Sequence, residues 1–321
     1  FGNSVALNGD TLAIGSWKSD HLSYYGDEGS VYVFLRSGQI WTQQAKLAAP
    51  APQNYGFFGT SIALQDDEML IGAYSGGAYL FSRSSGTWQF QSQPQPSTGS
   101  NAYGFGDSVA LDGDLMLIGA PRESVGVTAQ VGAAYVFERT GGTWSQRQRI
   151  ASPYPTMESK FADEVALDGD TAIIGSPNAV ASGRTGLFDI YRRNTSGDFV
   201  AETINLNAAK YPSMGGAVAI SGDTVIVGCS VGTASANSVL YQRTGNVWNW
   251  NRTFEYYGSS VSIEGNRILL GALSNPGDGD AGTVYGAAFI YELEGSAWLP
   301  RQRLTTGNSR AGSSLGSAVA M

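Results

Sequence analysis

The amino-acid sequence predicts an all-β protein with the architecture of a β-propeller, built from four-stranded antiparallel blades. A unit of about 50 residues recurs along the whole chain, which is the pattern of a repeat protein. Each unit contains four short segments rich in apolar and β-branched residues, separated by glycine-containing turns. Glycine accounts for 43 of the 321 residues, and this abundance suits many tight turns between short strands.

The unit opens with an aromatic residue and a glycine, followed by an apolar strand. In the first unit this dyad is Phe1-Gly2, and the fourth strand is headed by Trp41. The dyad recurs, in stronger and weaker copies, at Phe58-Gly59, Phe105-Gly106, Phe161-Ala162, Met214-Gly215, Tyr257-Gly258 and Leu315-Gly316. An aromatic residue heads the fourth strand of every complete unit: Trp41, Trp88, Trp144, Phe199, Trp248 and Trp298.

Six complete units and the first strand of a seventh align in this way. Their boundaries fall near residues 1–50, 51–98, 99–152, 153–205, 206–253 and 254–306, with a partial unit at 307–321. We therefore expect a single propeller domain over residues 1–321, excerpted from a longer polypeptide because the chain stops within a repeat. Seven blades are favoured. Six are the alternative, because the two terminal copies of the first strand would occupy equivalent places in a six-bladed ring.

The strands of one unit differ in polarity. The first two are continuous runs of Val, Ala, Ile and Leu, which predicts inner strands covered on both faces. The fourth strands, such as TQQAKL and SQRQRI, carry Gln, Arg and Lys, which is typical of an outer edge. Between the first and second strands, pairs such as Asn8-Gly9 and Asp112-Gly113 predict two-residue type I′ turns.

Charge and length exclude several classes of partner. The 19 basic and 27 acidic residues give a net charge of −8, whereas nucleic-acid binding needs a basic stripe, so we expect no nucleic-acid partner. No apolar run approaches the roughly 20 residues of a bilayer span, so we expect no transmembrane segment in this chain. Cys229, the only cysteine, stands where other units have Ala or Ser, which predicts a small buried side chain.

The order of these motifs resembles a known repeat family. The FG dyad, the short apolar strand and the ending Gly119-Ala120-Pro121 are similar to the FG-GAP repeats of the integrin α-subunit propeller and its bacterial and protist relatives. The resemblance covers the whole chain. It implies a propeller, usually of seven blades, that is exposed outside the cell and engaged in adhesion or recognition.

The resemblance does not extend to calcium binding. Integrin-type repeats often carry a loop rich in Asp and Asn between the first and second strands, and here two-residue turns stand in its place. Calcium needs six to eight oxygen ligands, which such a turn cannot supply, so no cofactor is assigned with certainty. Calcium is compatible with one other loop: Asn275, Asp278 and Asp280 are spaced like part of a cation site, although NPGDGDAG is also a plain turn-rich sequence.

Ligand-binding residues are expected in the loops between second and third strands. These loops vary most in length, and in a propeller they all emerge on one face of a rigid scaffold. The first unit offers an aromatic and charged set suited to a protein or a sugar: Trp17, Lys18, Asp20, His21, Tyr24, Tyr25 and Asp27. The tryptophans that head the fourth strands hold a constant position, which predicts packing between blades instead of sugar stacking.

No catalytic residue is assigned. His21 is the only histidine, and no HExxH motif, cysteine–histidine cluster or glycine-rich phosphate loop is present, so we expect no enzyme activity. A propeller-type polysaccharide-active enzyme is an alternative that would require paired carboxylates in one cleft. Asn194 and Asn251 lie in N-x-S/T sequons and are candidate glycosylation sites, with Asn194 the better acceptor because it lies in a predicted turn.

Together these features favour an extracellular or cell-surface adhesion module, which binds a protein or a glycan through one propeller face. The alternative is a structural subunit of a surface sheath or filament, whose outer strands and loops contact further subunits. The incomplete seventh unit is compatible with this alternative, because another segment or chain would be able to complete it.

Overall fold

The computed structural model describes residues 1–20, 26–75, 77–98, 102–181, 184–205, 214–229, 237–254, 258–276, 284–305 and 314–321. Within these ranges the protein is all-β and contains no helix. A helix able to cross a bilayer is accordingly not found among them.

The strands of the described ranges form six successive four-stranded units, here called sheets 1 to 6. Sheets 4 and 5 are joined by parallel pairs into one nine-stranded sheet, and the other four are separate. Sheet 1 contains β1 (Val5–Asn8), β2 (Thr11–Ser16), β3 (Ser30–Ser37) and β4 (Ile40–Leu47). Sheet 2 contains β5 (Phe58–Gln65), β6 (Glu68–Ala73), β7 (Gly77–Ser84) and β8 (Thr87–Ser92). Sheet 3 contains β9 (Val109–Asp112), β10 (Leu115–Ala120), β11 (Ala133–Thr140) and β12 (Thr143–Ala151).

The second half of the chain repeats this order. Sheet 4 contains β13 (Val165–Asp168), β14 (Thr171–Ala181), β15 (Arg184–Arg193) and β16 (Phe199–Ala201), followed by the short β17 (Thr203–Asn205). Sheet 5 contains β18 (Met214–Ser221), β19 (Thr224–Cys229), β20 (Ser238–Thr244) and β21 (Val247–Phe254). Sheet 6 contains β22 (Ser260–Glu264), β23 (Arg267–Pro276), β24 (Val284–Glu294) and β25 (Ala297–Leu304).

Each sheet is an antiparallel meander in sequence order, so the prediction of an all-β propeller with four-stranded blades is confirmed. Five buried clusters lie between the six sheets, and each cluster draws its side chains from two successive sheets. Between sheets 1 and 2, for example, Val31 and Val33 pack against Phe58, Met69 and Ile71. The core is thus a series of sheet-on-sheet interfaces, and each sheet contributes one face to each neighbour.

A close backbone contact joins each sheet to the next. A Cβ atom added to Gly15, in β2, would lie 2.2 Å from the carbonyl oxygen of Gly59, which belongs to the opening dyad of sheet 2. The same contact recurs between Gly119 and Ala162, at 2.2 Å, and between residues 271 and 316 at the far end of the chain. Only glycine permits this approach, which explains why the second strand of every unit contains one.

The dyad position favours glycine because the backbone there adopts a left-handed conformation. Its φ is +89° at Gly59, +96° at Gly106 and +86° at Gly215. In the fourth unit the position is occupied by Ala162, whose φ is +68°. A side chain in this region costs free energy relative to glycine, so Ala162 is a locally strained copy of the dyad.

The turns between first and second strands differ from the predicted type I′ turns. Asn8 pairs with Thr11, so the two loop residues are Gly9 and Asp10, and only Gly9 has a positive φ, of +55°. A type I′ turn needs a positive φ at both loop residues, so this turn is of another type. It leaves the second position to an aspartate, whose Oδ1 accepts a hydrogen bond from Arg36 Nε at 2.8 Å.

The same aspartate–arginine pair recurs in other sheets, and its arginine also contacts the tryptophan of the fourth strand. The guanidinium of Arg83 lies 5.1 Å from the ring centroid of Trp88, and that of Arg139 lies 4.9 Å from the ring centroid of Trp144. The recurring pairs are Asp10–Arg36, Asp67–Arg83, Asp114–Arg139 and Asp223–Arg243. Each pair therefore ties the first hairpin of its sheet to the fourth strand.

The tryptophans also reach the preceding sheet, as predicted. Trp88 Nε1 donates to Gln44 Oε1 of sheet 1 at 3.1 Å, and Trp248 Nε1 donates to Glu202 Oε2, which follows sheet 4, at 2.6 Å. Gln44 is the extra residue of a β-bulge in β4. Cys229 is fully buried, as expected, and its Sγ lies 3.9 Å from Met214 Sδ.

Sheet 4 departs from the repeat at one interior position. Sheets 1 to 3 place a tyrosine in the third strand opposite an isoleucine of the second, namely Tyr32, Tyr79 and Tyr135. Sheet 4 has Asp189 there. Tyr154 Oη donates to Asp189 Oδ1 at 2.9 Å, while Oδ2 is buried with no hydrogen-bond partner among the described residues. Burial raises the pKa of the Asp189 carboxyl to about 6, because the charged form is poorly solvated there.

We expect Gly119→Ala to lower the free energy of unfolding by about 3 kcal/mol, because overpacking at a backbone contact cannot be relieved by a rotamer change. The new Cβ would lie 2.2 Å from the Ala162 carbonyl oxygen and 2.3 Å from Ser108 Oγ. Chemical denaturation followed by circular dichroism measures the loss. The matched control is Gly113→Ala, where φ is +56° and no atom lies within 4 Å of the new Cβ; the backbone alone costs about 1 kcal/mol there. Equal losses in the two variants would contradict the close approach.

We expect Asp189→Asn to stabilise the protein at neutral pH by up to about 3 kcal/mol, since the pKa of Asp189 is raised from 3.8 to about 6 and one pKa unit corresponds to about 1.4 kcal/mol. The folded pKa of Asp189 is raised, so its favourable contribution is present below pH 4 and is lost as the pH rises through about 6. The advantage of the variant should therefore grow between pH 4 and 6, which thermal unfolding across that range measures. The exposed Asp170→Asn in the same sheet should show no such trend, and a parallel trend in both variants would refute the assignment.

Candidate functional site

The sheets share one end, at which the second strands finish, the third strands begin and the opening dyads lie. We call this the loop end. The first residue after the second strand is Trp17 in sheet 1 and Tyr74 in sheet 2, and Arg122 follows one residue later in sheet 3. Because the sheets are equivalent, these residues occupy neighbouring places at the loop end.

An aromatic row runs across the loop end of sheets 1 and 2. Phe57, the residue before the dyad of sheet 2, lies between Trp17 and Tyr74, with ring centroids 5.1 Å and 5.7 Å apart. The guanidinium carbon of Arg122 lies 3.2 Å from the ring centroid of Tyr74. We call Trp17, Phe57, Tyr74 and Arg122 the loop-end row. Its members come from three successive sheets and their linkers, so the row depends on the stacking of the sheets.

Arg122 is held by groups of the protein. Its Nη2 donates to the carbonyl oxygen of Tyr74 at 3.0 Å and lies 3.2 Å from Asp107 Oδ2. Burial lowers the pKa of Arg122 to about 10, and the charge of Asp163 opposes this shift. Arg122 remains charged at neutral pH, and the carboxyl groups of Asp107 and Asp163 lie close to it. It therefore supports the Tyr74 ring and is not an uncompensated anion-binding group.

Carboxylates of two sheets come close together beside Arg122. Burial raises the pKa of the Asp107 carboxyl, the charges of Asp163 and Glu164 add to the shift, and Lys160 opposes it. The pKa of Asp163 is raised by burial and is lowered in part by Lys160 and Arg122. Burial raises the pKa values of Asp107 and Glu164 to about 8, so both carboxyls are largely protonated at neutral pH and the cluster carries less negative charge than its number of carboxyls implies.

A cleft of about 680 Å³ opens next to the row. Its walls include Tyr74, Tyr103, Gln93, Gln95 and Arg122. The rings of Tyr74 and Tyr103 are 42% and 65% exposed. The volume lies within the usual range of ligand-binding pockets, and the lining combines aromatic rings with amide groups. Such a lining can stack on an apolar ligand surface and form hydrogen bonds at the edges of the cleft.

Hydrogen bonds fix the backbone conformation around the loop end. Segments 26–28 and 55–58 are joined by backbone hydrogen bonds, including Phe57 N to the Asp27 carbonyl at 3.1 Å. Asp27, Tyr55 and Phe57 have positive φ values of 44°, 58° and 52°. Non-glycine residues hold such conformations only when the surroundings enforce them. The junction of sheets 3 and 4 repeats the arrangement, with Lys160 N donating to the Gln130 carbonyl at 3.1 Å.

The loop of sheet 3 has a buried anchor. Glu123 accepts hydrogen bonds from Tyr135 Oη at 2.5 Å and from Arg149 Nε at 2.9 Å. Tyr135 Oη also lies 2.6 Å from Thr98 Oγ1. A buried carboxylate is tolerated only when it is paired in this way. The anchor therefore holds the loop that begins with Arg122 at a defined place beside the cleft.

The predicted ligand-binding residues of the first unit divide into three groups. Trp17 is partly buried in the loop-end row, and Lys18 Nζ lies 4.8 Å from its ring centroid. Asp20 Oδ1 accepts a hydrogen bond from Asp27 N at 2.9 Å, so these two residues close the loop on itself. The remaining three, His21, Tyr24 and Tyr25, lie outside the described residues. Their role in binding stays a prediction.

The predicted cation site falls mostly outside the described residues as well. Asn275 pairs with Tyr285 in the ladder between β23 and β24, whereas Asp278 and Asp280 belong to the part of the chain that is not described. Where the structure is described, no cluster of three or more His, Cys, Asp or Glu side chains is arranged to hold a metal ion. The calcium hypothesis for this loop therefore stays untested.

Both sequon asparagines are exposed. Asn194 lies in the turn after β15, and its Oδ1 accepts hydrogen bonds from the backbone N of Ser196 and Asp198 at 2.9 Å and 3.0 Å. Asn251 lies in β21, and its Nδ2 donates to Gln242 Oε1 at 2.8 Å. A glycan on Asn251 would replace this hydrogen bond, whereas the turn contacts of Asn194 use only its Oδ1.

Sequence reasoning missed Phe57, Tyr74, Tyr103 and Arg122. Tyr74 and Arg122 could have been predicted as site residues, because they follow the second strand closely, as Trp17 does in the first unit. Phe57 was hidden by the neighbouring Phe58, which forms the buried half of the dyad. Tyr103 lies in a linker between sheets, where the repeat predicts no contact with a cleft.

Comparisons with known proteins agree with this architecture. A family model described as FG-GAP repeat matches residues 1–34, 41–86 and 88–137. Among solved structures, the crystal structure of the computationally designed Ika8 protein matches with a TM-score of 0.52 at 10% identity, covering 98% of this chain and 89% of that one. At this identity the likeness concerns the fold alone. No curated protein matches the chain. The matches lie in the first three sheets, so residues 1–137 carry FG-GAP repeats, and the same dyads and backbone contacts continue through the later sheets.

Proposed function

We propose that this chain is an extracellular adhesion or recognition module, which binds a protein or a glycan through the loop end of sheets 1 to 3. One observation carries the proposal: two well-exposed tyrosine rings, Tyr74 and Tyr103, line a single cleft beside the loop-end row. Tyrosine rings supply a large contact area at a small cost in side-chain entropy, and they are enriched at binding surfaces.

The rigid setting of these rings supports a binding role. Tyr74 is held between Phe57 and Arg122, and the loop of sheet 3 is anchored by the buried Glu123. A surface that is ordered before the ligand arrives loses less conformational entropy on binding. FG-GAP repeats are typical of extracellular proteins, which supports the proposed location.

We propose binding in preference to catalysis. Asp107 Oδ2 lies 3.2 Å from Nη2 of Arg122, which lines the cleft, and Asp163 is influenced by both Lys160 and Arg122. Carboxylates engaged in this way support the packing of sheets 2 to 4. The polysaccharide-active enzyme of the sequence analysis would need one free acid and one free base facing a substrate.

One observation favours the second candidate, a structural subunit of a surface sheath or filament. The face of sheet 1 that carries Phe1 and Trp41 is exposed, with 73% and 38% of these side chains accessible. Sedimentation velocity tests this candidate, because a filament subunit should increase in mass with concentration. A constant monomer mass over the accessible concentration range would exclude it.

We expect Tyr103→Ala to weaken ligand binding about tenfold or more, as is usual for an aromatic residue in the centre of a binding site. The ligand is first identified on a glycan array and by binding to isolated cell-surface proteins, and the dissociation constant is then measured by calorimetry. The control is Trp250→Ala, which removes a ring that is 39% exposed on the outer strand β21, away from the cleft. If Trp250→Ala weakens binding and Tyr103→Ala does not, the loop end is not the binding surface.

A further inference from the structure

A second cleft, of about 560 Å³, lies between the outer strands of sheets 2 and 3. We call it the outer cleft. The buried side chains of Leu80 and Phe137 line it, and residues 143–145 of β12 form its wall on sheet 3. It meets the cleft beside the loop-end row at Gln93 and Gln95, which line both. Among the described residues, no member of the loop-end row lines the outer cleft, so it is a surface of its own.

Trp144 presents an unpaired hydrogen-bond donor to the outer cleft. At two other junctions the equivalent indole is paired, because Trp88 Nε1 donates to Gln44 and Trp248 Nε1 donates to Glu202. Those two rings are buried, with exposed fractions of 7% and 0%. Trp144 is partly exposed, and in the described part of the chain its Nε1 has no acceptor.

The residue of sheet 2 that could accept this hydrogen bond makes a different one. Gln91 corresponds to Gln44, because each is the extra residue of a bulge in the fourth strand of its sheet. Gln91 Nε2 donates to the carbonyl oxygen of Gln89, in its own strand, at 3.3 Å. Trp298 Nε1 also lacks an acceptor among the described residues, but it is buried. The indole N–H of Trp144 is therefore a donor that a ligand can reach.

The junction of sheets 4 and 5 shows how such a cleft is filled. After Glu202 the chain continues as β17, which pairs in parallel with β21 over three residues. Ile204 lies opposite Trp248 in this register, and it packs against the buried cluster between the two sheets. One extended segment thus supplies a backbone ladder, an apolar side chain and the acceptor for the indole.

The edge of β12 that faces away from β11 is open to a segment of this kind. Residues 143–145 pair with β11 in the register in which residues 247–249 pair with β20. No backbone group in the described ranges pairs with that edge. At its far end the side chain of Gln146 exchanges hydrogen bonds of 2.7 Å and 3.0 Å with Ser97. The open edge is therefore three residues long, as β17 is.

Sheet 2 does not fill this edge with its own chain. Ser92 follows the bulge residue and stays paired with Leu80 in sheet 2. Pro94 stands three residues after the bulge residue, at the place that Asn205 occupies after Glu202. Proline has no N–H to donate to a ladder. A strand on the open edge of β12 must therefore come from another polypeptide.

The surroundings of the outer cleft favour a neutral acceptor. Glu202 is supported by Arg192, whose Nη1 lies 3.9 Å from Glu202 Oε1. In sheet 2 the corresponding residue is Ser82, which lines the cleft. The arginine beside Trp144, Arg139, is already shared by two carboxylates. A further carboxylate would lack a cation of its own here, whereas an amide oxygen needs none.

We propose that the outer cleft binds an extended peptide segment of a partner protein, which adds as a parallel strand to the open edge of β12. A glutamine of the peptide accepts the hydrogen bond from Trp144 Nε1. A β-branched apolar residue two positions later packs on Leu80 and Phe137. The backbone ladder gives affinity, and these two side chains give specificity.

The probe is a fluorescein-labelled peptide of residues 199–205, FVAETIN, that carries Glu202→Gln. Fluorescence anisotropy measures its binding to the complete chain, and we expect saturable binding. Trp144→Phe keeps a ring and removes the donor, so it should weaken binding about fivefold or more. The matched control is Trp88→Phe, whose donor is already paired within the protein; it should leave the affinity unchanged. Circular dichroism checks that both variants are folded.

Two further peptides test the mode of binding. N-methylation at both Thr203 and Ile204 of the peptide removes a ladder N–H in either alternation of the strand, so it should abolish binding. The unsubstituted peptide, with Glu202, should bind about two- to threefold more weakly than the glutamine peptide.

Four results would overturn the proposal. Absence of saturable binding at millimolar peptide would exclude a peptide ligand, and a saccharide that binds in its place and depends on Trp144 would identify a glycan site. Unchanged affinity of the methylated peptide would exclude strand addition. Equal affinity for Trp144→Phe and the parent chain would exclude the assigned donor. Tighter binding of the Glu202 peptide would exclude a neutral acceptor.

Discussion

The contact between the second-strand glycine of one sheet and the dyad of the next governs the whole assembly. Because Gly15 has no side chain, the backbone of Gly59 can approach until the two strands touch. The buried rings that follow, such as Phe58, are placed in the interface by this approach. The family signature is therefore a description of one junction: the FG dyad supplies the carbonyl and the ring, and the glycine of the GAP-like segment of the preceding sheet receives them.

Much of the fold could be predicted from the sequence because the same residue pattern recurs in each unit. Dyads, glycine turns and the tryptophan of the fourth strand recur at fixed spacing, and their burial follows from strand order. The turn type was predicted wrongly, because Asn8-Gly9 is also a favoured type I′ pair. The aspartate that follows also has a role that the dipeptide does not reveal, because Asp10 at the second loop position accepts a hydrogen bond from Arg36. That contact joins residues far apart in the sequence.

The candidate site was less accessible to sequence reasoning, since it is formed between units. Phe57, Tyr74 and Arg122 are unremarkable within their own repeats and become a row only when three sheets are stacked. The residues chosen from the first loop were selected for their chemistry, and two of them, Asp20 and Asp27, contact each other. A repeat pattern predicts what is common to the units, whereas a binding surface depends on how they differ.

The short strand β17 makes the junctions between neighbouring sheets unequal in their number of backbone contacts. Sheets 1 and 2, and likewise sheets 3 and 4, are held together by side chains and by backbone hydrogen bonds at the loop end, whereas between sheets 4 and 5 β17 also pairs in parallel with β21 over three residues. Gly186 pairs with Met214 at the loop end of the same junction, as Gly29 does with Phe58 and Gly132 with Phe161 at theirs. Sheets 4 and 5 therefore have a main-chain ladder at their outer strands in addition to the loop-end pair, and they should separate last under force or denaturant. Disassembly would then proceed from the two ends of the array inward, leaving this pair as the final intact unit.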